Sequence, residues 1–144
     1  MAEQNFKNHS RYVPLFHFVA FTAVLFPLVV SVIRLCKAIS EDSGRIQAAA
    51  MLSLTVAVGL ALWFARSFAL KAQDRAIRAE ENFRYFIATG KPMDSRLRKS
   101  QVIALRFAAD DEFVALAKKA VDENLSSQQI KGEIQQWKAD HHRV

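Results

Sequence analysis

Two long apolar runs dominate the hydrophobic pattern of the first half of the chain. Val13 to Ile33 carries only His17, Thr22 and Ser31 as polar interruptions, and Ile46 to Phe64 only Gln47, Ser53 and Thr55. Each is close to the roughly 20 apolar residues that a helix needs to cross a bilayer. Neither contains Asp, Glu, Lys or Arg, which rarely sit at that depth. Buried core helices could imitate one such run, but two in tandem in 144 residues leave too little polar surface to cover them. The pattern predicts transmembrane helices over 13–33 and 46–65, joined by an external loop over 34–45. The first run exceeds the roughly 7–15 apolar residues of a signal peptide and is followed directly by Arg34 and Lys37, so it reads as an uncleaved helix. Pro27, which cannot donate to the carbonyl of Ala23, predicts a kink within it.

The second run has a finer pattern. Ala49, Ser53, Ala57, Ala61 and Ala65 recur every four residues, a small-residue stripe that lets helix backbones approach closely in lipid. It suits packing against the first helix or contact with another copy of the chain. No helix breaker follows Phe64, and Ala65, Ala69, Ala72, Ala76, Ala79, Phe83 and Phe86 are spaced 4-3-4-3-4-3, a heptad seam of about three repeats. A stop comes only at Thr89-Gly90-Lys91-Pro92. One helix from Ile46 to Ala88 would be on the order of 60 Å long. Its 66–88 portion either continues as a cytoplasmic stalk, the reading that the narrow alanine seam favours, or bends to lie on the membrane as a basic amphipathic segment. Asp74–Arg78 and Glu80–Arg84 are expected as i,i+4 pairs along it.

Beyond the stop, residues 89–144 predict a small helical unit. Ser100 is placed to cap QVIALRFA, and Asp110 to cap a helix with Asp111 and Glu112 in its first turn. Phe113, Leu116, Ala117, Ala120 and Val121 form its apolar face. Ser126 and Gln129 make a capping box with Leu125 and Ile130 as a hydrophobic staple, and Ile130, Ile134 and Trp137 are expected on one face of a last helix.

Charge orients this arrangement. The pI is 9.8 and the net charge +6, yet the excess lies between Arg66 and Ser100, with nine bases against four acids; from Gln101 onward there are six bases and seven acids. Basic residues beside an apolar run follow the positive-inside rule, which points to lipid rather than nucleic acid. Lys7 and Arg11 precede the first run and Arg66, Lys71, Arg75, Arg78 and Arg84 follow the second, against Arg34, Lys37 and Arg45 between them. The count places both termini, including the 1–12 arm, in the cytoplasm. Arg66, Lys71, Arg75 and Arg78 are the candidate contacts to anionic lipid.

The pattern offers little chemistry. His9, His17, His141 and His142 sit at opposite ends of the chain without metal-ligand spacing, and the single Cys36 can form no internal disulfide. No GxSxG, HExxH, CxxC or phosphate-cradling glycine loop occurs. We expect no catalytic, cofactor-binding or metal-binding residues and no identifiable small-molecule substrate. His17, inside the first run, is expected to hydrogen-bond at the interface.

Four stretches, NFKNHSRYVPLFHF (5–18), ALKAQDRAIRAEENFR (69–84), QVIALRFAADDEF (101–113) and IQQWKADHHRV (134–144), resemble a family of small, uncharacterised bacterial two-span membrane proteins, sometimes labelled as transporter permeases. The resemblance covers nearly the whole chain and implies a bacterial inner-membrane location. It carries no activity or site residues. Two spans are too few for an ordinary permease subunit unless several chains assemble.

The expectation is therefore an all-α membrane protein: a two-helix transmembrane hairpin whose second helix extends as a cytoplasmic stalk, followed by a small helical C-terminal unit. Its function is expected to be that of a non-enzymatic scaffold or accessory subunit in the bilayer, assembling as a homo-oligomer or within a larger membrane complex. The alternative is a homo-oligomeric channel or transport component.

Overall fold

The structure, a computed structural model, describes residues 13–139. Lys7, His9, Arg11, His141 and His142, which the sequence singles out, lie outside these residues. The described residues divide into two compact units, 13–68 and 69–139. Among the described residues the secondary structure is helical, with one isolated bridge between Ala108 and Trp137.

In the first unit the chain enters a π-helical turn, Leu15–Ala20, through Pro14, whose φ of −57° already suits a helix. It continues as α1, Phe21–Ser40, which is assigned without a break across Pro27. The segment 34–45, expected as a loop, is thus helical through Ser40, and the turn is confined to 41–44. LCKAIS holds no breaker, so the helix persists until its end is capped. Asp42 takes the left-handed conformation (φ +52°) and Ser43 N donates to Ala38 O at 3.2 Å, a Schellman closure built without glycine at that position. Arg45 then pairs with Asp42.

α2 runs from Arg45 to Thr89 as a single helix of 45 residues and ends at Gly90, which has φ +68°. Leu15–Ser40 and Arg45–Thr89 are both long and apolar enough to cross a membrane. Only 6% of each apolar window is buried within the chain, whereas a core helix of a soluble protein would be mostly buried. Leu15, Phe26, Leu54 and Trp63 are among the exposed side chains.

The second unit packs the last part of α2 with three short helices, α3 (Lys99–Leu105), α4 (Asp110–Asp122) and α5 (Ser127–Glu133). Its core is centred on Phe107, Phe113, Leu105 and Ile130, with Leu97, Ala104, Ala120 and Leu125 around them. Of the expected α4 face, Phe113, Leu116, Ala117 and Ala120 are buried and Val121 is half-buried against the core. Ser126 Oγ accepts from Gln129 N at 3.3 Å while Gln129 Oε1 accepts from Ser126 N at 2.8 Å, the expected capping box, and both Leu125 and Ile130 lie in the core.

Two cap expectations and the extent of the last helix change. The N-cap of α3 is Arg98, not Ser100, because Gln101 is buried and its Oε1 accepts from Arg98 N at 2.7 Å, setting the helix start two residues earlier. The N-cap of α4 is Ala109; Asp110 stands in the first turn, with its carboxylate turned to Arg84. The last helix ends at Glu133, so Trp137 does not share its face. Tertiary pairing stops it: Ala109 N donates to Gln136 O (3.1 Å), Lys138 N donates to Phe107 O (2.8 Å), and the Glu112 carboxylate accepts from the backbone N–H groups of Gln135 (3.0 Å) and Gln136 (3.1 Å).

Candidate assembly face on the second helix

Within the first unit, Ala49, Ser53, Ala57, Ala61 and Ala65 are all exposed. The Ser53 hydroxyl donates to Ala49 O at 2.8 Å, so it returns to its own helix. The residues that α2 covers inside this unit lie on another face: Ala48 is buried, and Leu52, Thr55, Gly59 and Leu62 are half-buried. Gly59 is the point of closest approach, where a Cβ would stand 3.3 Å from Val24 Cγ1. Sequence reasoning missed this face. Its signal was present as the 4-3-4-3 spacing of Ala48, Leu52, Thr55, Gly59 and Leu62, overshadowed by the more regular alanine stripe.

Arg66, a candidate lipid contact, is half-buried with its guanidinium 5.4 Å from the centroid of Phe16. Lys71, Arg75 and Arg78 are exposed. His17 directs Nδ1 to the backbone of its own first turn, 2.9 Å from Val13 O. Cys36 is exposed near the end of α1.

Within the second unit the heptad seam is open. Ala69 is half-buried, whereas Ala72, Ala76, Ala79, Phe83 and Phe86 are exposed, Phe83 at 65% and Phe86 at 51%. The side of α2 that meets the small helices carries Ile77, Glu81, Arg84 and Tyr85. Helical period separates the two sets, since residues one and five positions apart point to different sides.

Electrostatics fasten that covered side. Arg84 donates from Nε to Asp110 Oδ1 (2.6 Å), from Nη1 to Glu81 Oε2 (3.1 Å) and from Nη2 to Ala108 O (2.7 Å), and its Cζ lies 4.1 Å from the Phe113 centroid. Asp74 reaches Lys99 at 2.8 Å. These pairs replace the expected i,i+4 contacts Asp74–Arg78 and Glu80–Arg84, because a side chain facing the core binds what the tertiary fold brings to it. Burial pushes the Glu81 carboxyl above its ordinary range, against the opposing pull of Arg84 and Lys138. Hydrogen bonding to Arg84 holds Asp110 below its own.

A perturbed carboxylate beside a groove is a reason to look for chemistry. A groove of about 610 Å³ does open beside Glu81, lined also by Phe83, Ile87, Asp110 and Lys138. The partners of Glu81 and Asp110 are nevertheless structural, since both hold Arg84. Among the described residues, no group of three or more His, Cys, Asp or Glu side chains is gathered as metal ligands. What the geometry offers is a helix face of small and aromatic residues, presented by a unit packed against its other side.

Residues 1–144 match a family model described as "Family of unknown function (DUF6526)". No curated protein and no solved structure matches the chain.

Proposed function

The chain belongs to this family of unknown function, whose membership brings no activity with it, and we propose from the chain's own geometry that it is a non-enzymatic membrane scaffold or accessory subunit. α1 and the first part of α2 cross the inner membrane of a bacterium as an antiparallel hairpin, with both termini in the cytoplasm. The remainder of α2 and the small helices present an assembly face there. The observation that carries this reading is the exposure of Ala57, Ala61, Ala65, Ala72, Ala76, Ala79, Phe83 and Phe86 along one helix. Membrane insertion is supported by the outward-facing apolar side chains of both helices, which water would penalise by about 25 cal/mol per Å². The hairpin is supported by Phe16 meeting Arg66 while Val24 meets Gly59, contacts that run in opposite chain directions. Lys71 and Arg78 supply positive charge for anionic lipid on the cytoplasmic side.

A pore built from several copies is the second reading, and it needs a polar stripe through the bilayer. The available hydroxyls are engaged with their own helices: Thr22 with Phe18 O (2.6 Å), Ser31 with Leu28 O (2.9 Å) and Thr55 with Met51 O (2.9 Å). That supports the scaffold over the pore.

Native mass spectrometry after gentle release from the membrane tests the scaffold. Ala57→Leu and Ala72→Leu are expected to reduce the assembled mass or the set of co-purifying proteins. If both leave these unchanged, the reading fails. Orientation is checked at the 41–44 turn: Ser43→Cys, in a Cys36→Ala background, is expected to react with a membrane-impermeant maleimide added to spheroplasts.

A further inference from the structure

The exposed end of the α2 face has a register as well as a composition. With Ala69, Ala76 and Phe83 as a positions and Ala72, Ala79 and Phe86 as d positions, Arg75 falls at g and Glu80 at e of the following heptad. Both are exposed, and neither forms an ion pair among the described residues. In a parallel pair of helices a g residue faces the e residue five positions later on its partner, so Arg75 and Glu80 are complementary across a two-fold axis. In an antiparallel pair g faces g and e faces e, which would set Arg75 against Arg75 and Glu80 against Glu80.

We propose that the occupant of this face is a second copy of the chain, docked in parallel through Ala72, Ala76, Ala79, Phe83 and Phe86, with Arg75 of each copy paired to Glu80 of the other. This deepens the scaffold reading and rests on it, because insertion in one orientation is what makes the two α2 helices parallel. Alanine at a and d allows close backbone approach but buries little area, and an isolated seam of this length would be marginal in water. Phe83 and Phe86 supply most of the apolar surface, and confinement to one membrane raises the effective concentration of the copies. Asn82 at g and Ile87 at e bring no like charge into the contact. The symmetric use of one patch on both copies closes the assembly as a dimer rather than a filament.

The test uses the full chain in its own membrane with Cys36 replaced by Ser. Under mild oxidation Ala79→Cys, on the face, is expected to yield a covalent dimer, and Arg78→Cys, one residue around the helix, several-fold less. In native mass spectrometry Glu80→Arg is expected to raise the dimer dissociation constant on the order of tenfold, since two pairs turn repulsive. Arg75→Glu combined with Glu80→Arg should restore it. Equal cross-linking at 78 and 79, no cross-linking at either, a heteromeric mass or no recovery in the double variant would each overturn the proposal. Alkaline carbonate extraction separates the two readings. Protein that stays in the membrane pellet while cross-linking fails leaves the scaffold standing, whereas protein released to the supernatant removes both.

Discussion

The guanidinium of Arg84 stands 4.1 Å from the ring centroid of Phe113 while its nitrogens hold Asp110, Glu81 and the carbonyl of Ala108. One side chain of α2 thereby joins the start of α4 and the turn before it through two hydrogen bonds and a cation–π contact, and a third hydrogen bond ties it to Glu81 on its own helix. A lysine could supply the charge but not the planar fork.

Arg84→Lys is therefore expected to destabilise the second unit by about 2 kcal/mol, from lost charge-assisted hydrogen bonds and stacking. Thermal unfolding of the purified chain, followed by circular dichroism, reads this out. A lysine variant as stable as the parent would show that Arg84 acts only as a point charge.

The two carboxylates bound to Arg84 respond oppositely to pH. Glu81 is raised by burial, so its charged form costs stability above its folded pKa, and the cost fades as pH falls through that value towards the ordinary one. Glu81→Gln is expected to melt higher than the parent at pH 7, with the gap closing in acid. Asp110 is held low by Arg84, so its contribution is present above the ordinary value of 3.8 and is lost as pH falls below it through the lowered pKa. Asp110→Asn should melt lower than the parent at pH 7. Melting temperatures of both variants across pH 3 to 8, a range spanning roughly the ordinary carboxylate values, settle the signs.

Gln101 is 2% exposed, and besides capping Arg98 N it donates Nε2 to Ala120 O (3.1 Å) and Leu125 O (2.9 Å). Gln101→Leu removes the side-chain partner of Arg98 N and Ala120 O and leaves Leu125 O with Arg98 Nη2 alone (3.1 Å), and is expected to cost about 2 kcal/mol. Ser100→Ala, at the exposed position that the sequence favoured as the cap, should change stability by less than about 0.5 kcal/mol. Parallel melts of the two variants compare the caps directly.

Gly59 and Ala57 separate folding from assembly. A leucine at 59 meets Val24 and is expected to destabilise the packed pair of helices by about 1–3 kcal/mol, lowering the melting temperature in detergent. A leucine at exposed Ala57 should leave that melt unchanged and act only on the assembled mass. A melt insensitive to Gly59→Leu would remove the close approach as a packing contact.

Hydrophobic period and breaker placement alone determined the two long apolar helices, the continuation of the second past Phe64 to Gly90, the Ser126–Gln129 capping box and the buried face of α4. These depend on local chemistry: apolar residues at helical spacing, a glycine that accepts positive φ, a serine three residues before a glutamine. The regular alanine stripe on α2 was equally legible. Which face of that helix the rest of the chain would cover was not, because several faces are apolar and only the approach of Val24 to Gly59 chooses among them. Arg84 gave no sign of its partners, since Asp110 and Phe113 lie more than twenty residues away in sequence. Trp137 read as helical until the backbone of Phe107 and Ala109 offered it an edge to pair with. Local pattern decides what an element is, whereas long-range contacts decide which of its faces, and which of its charges, remain available to a partner.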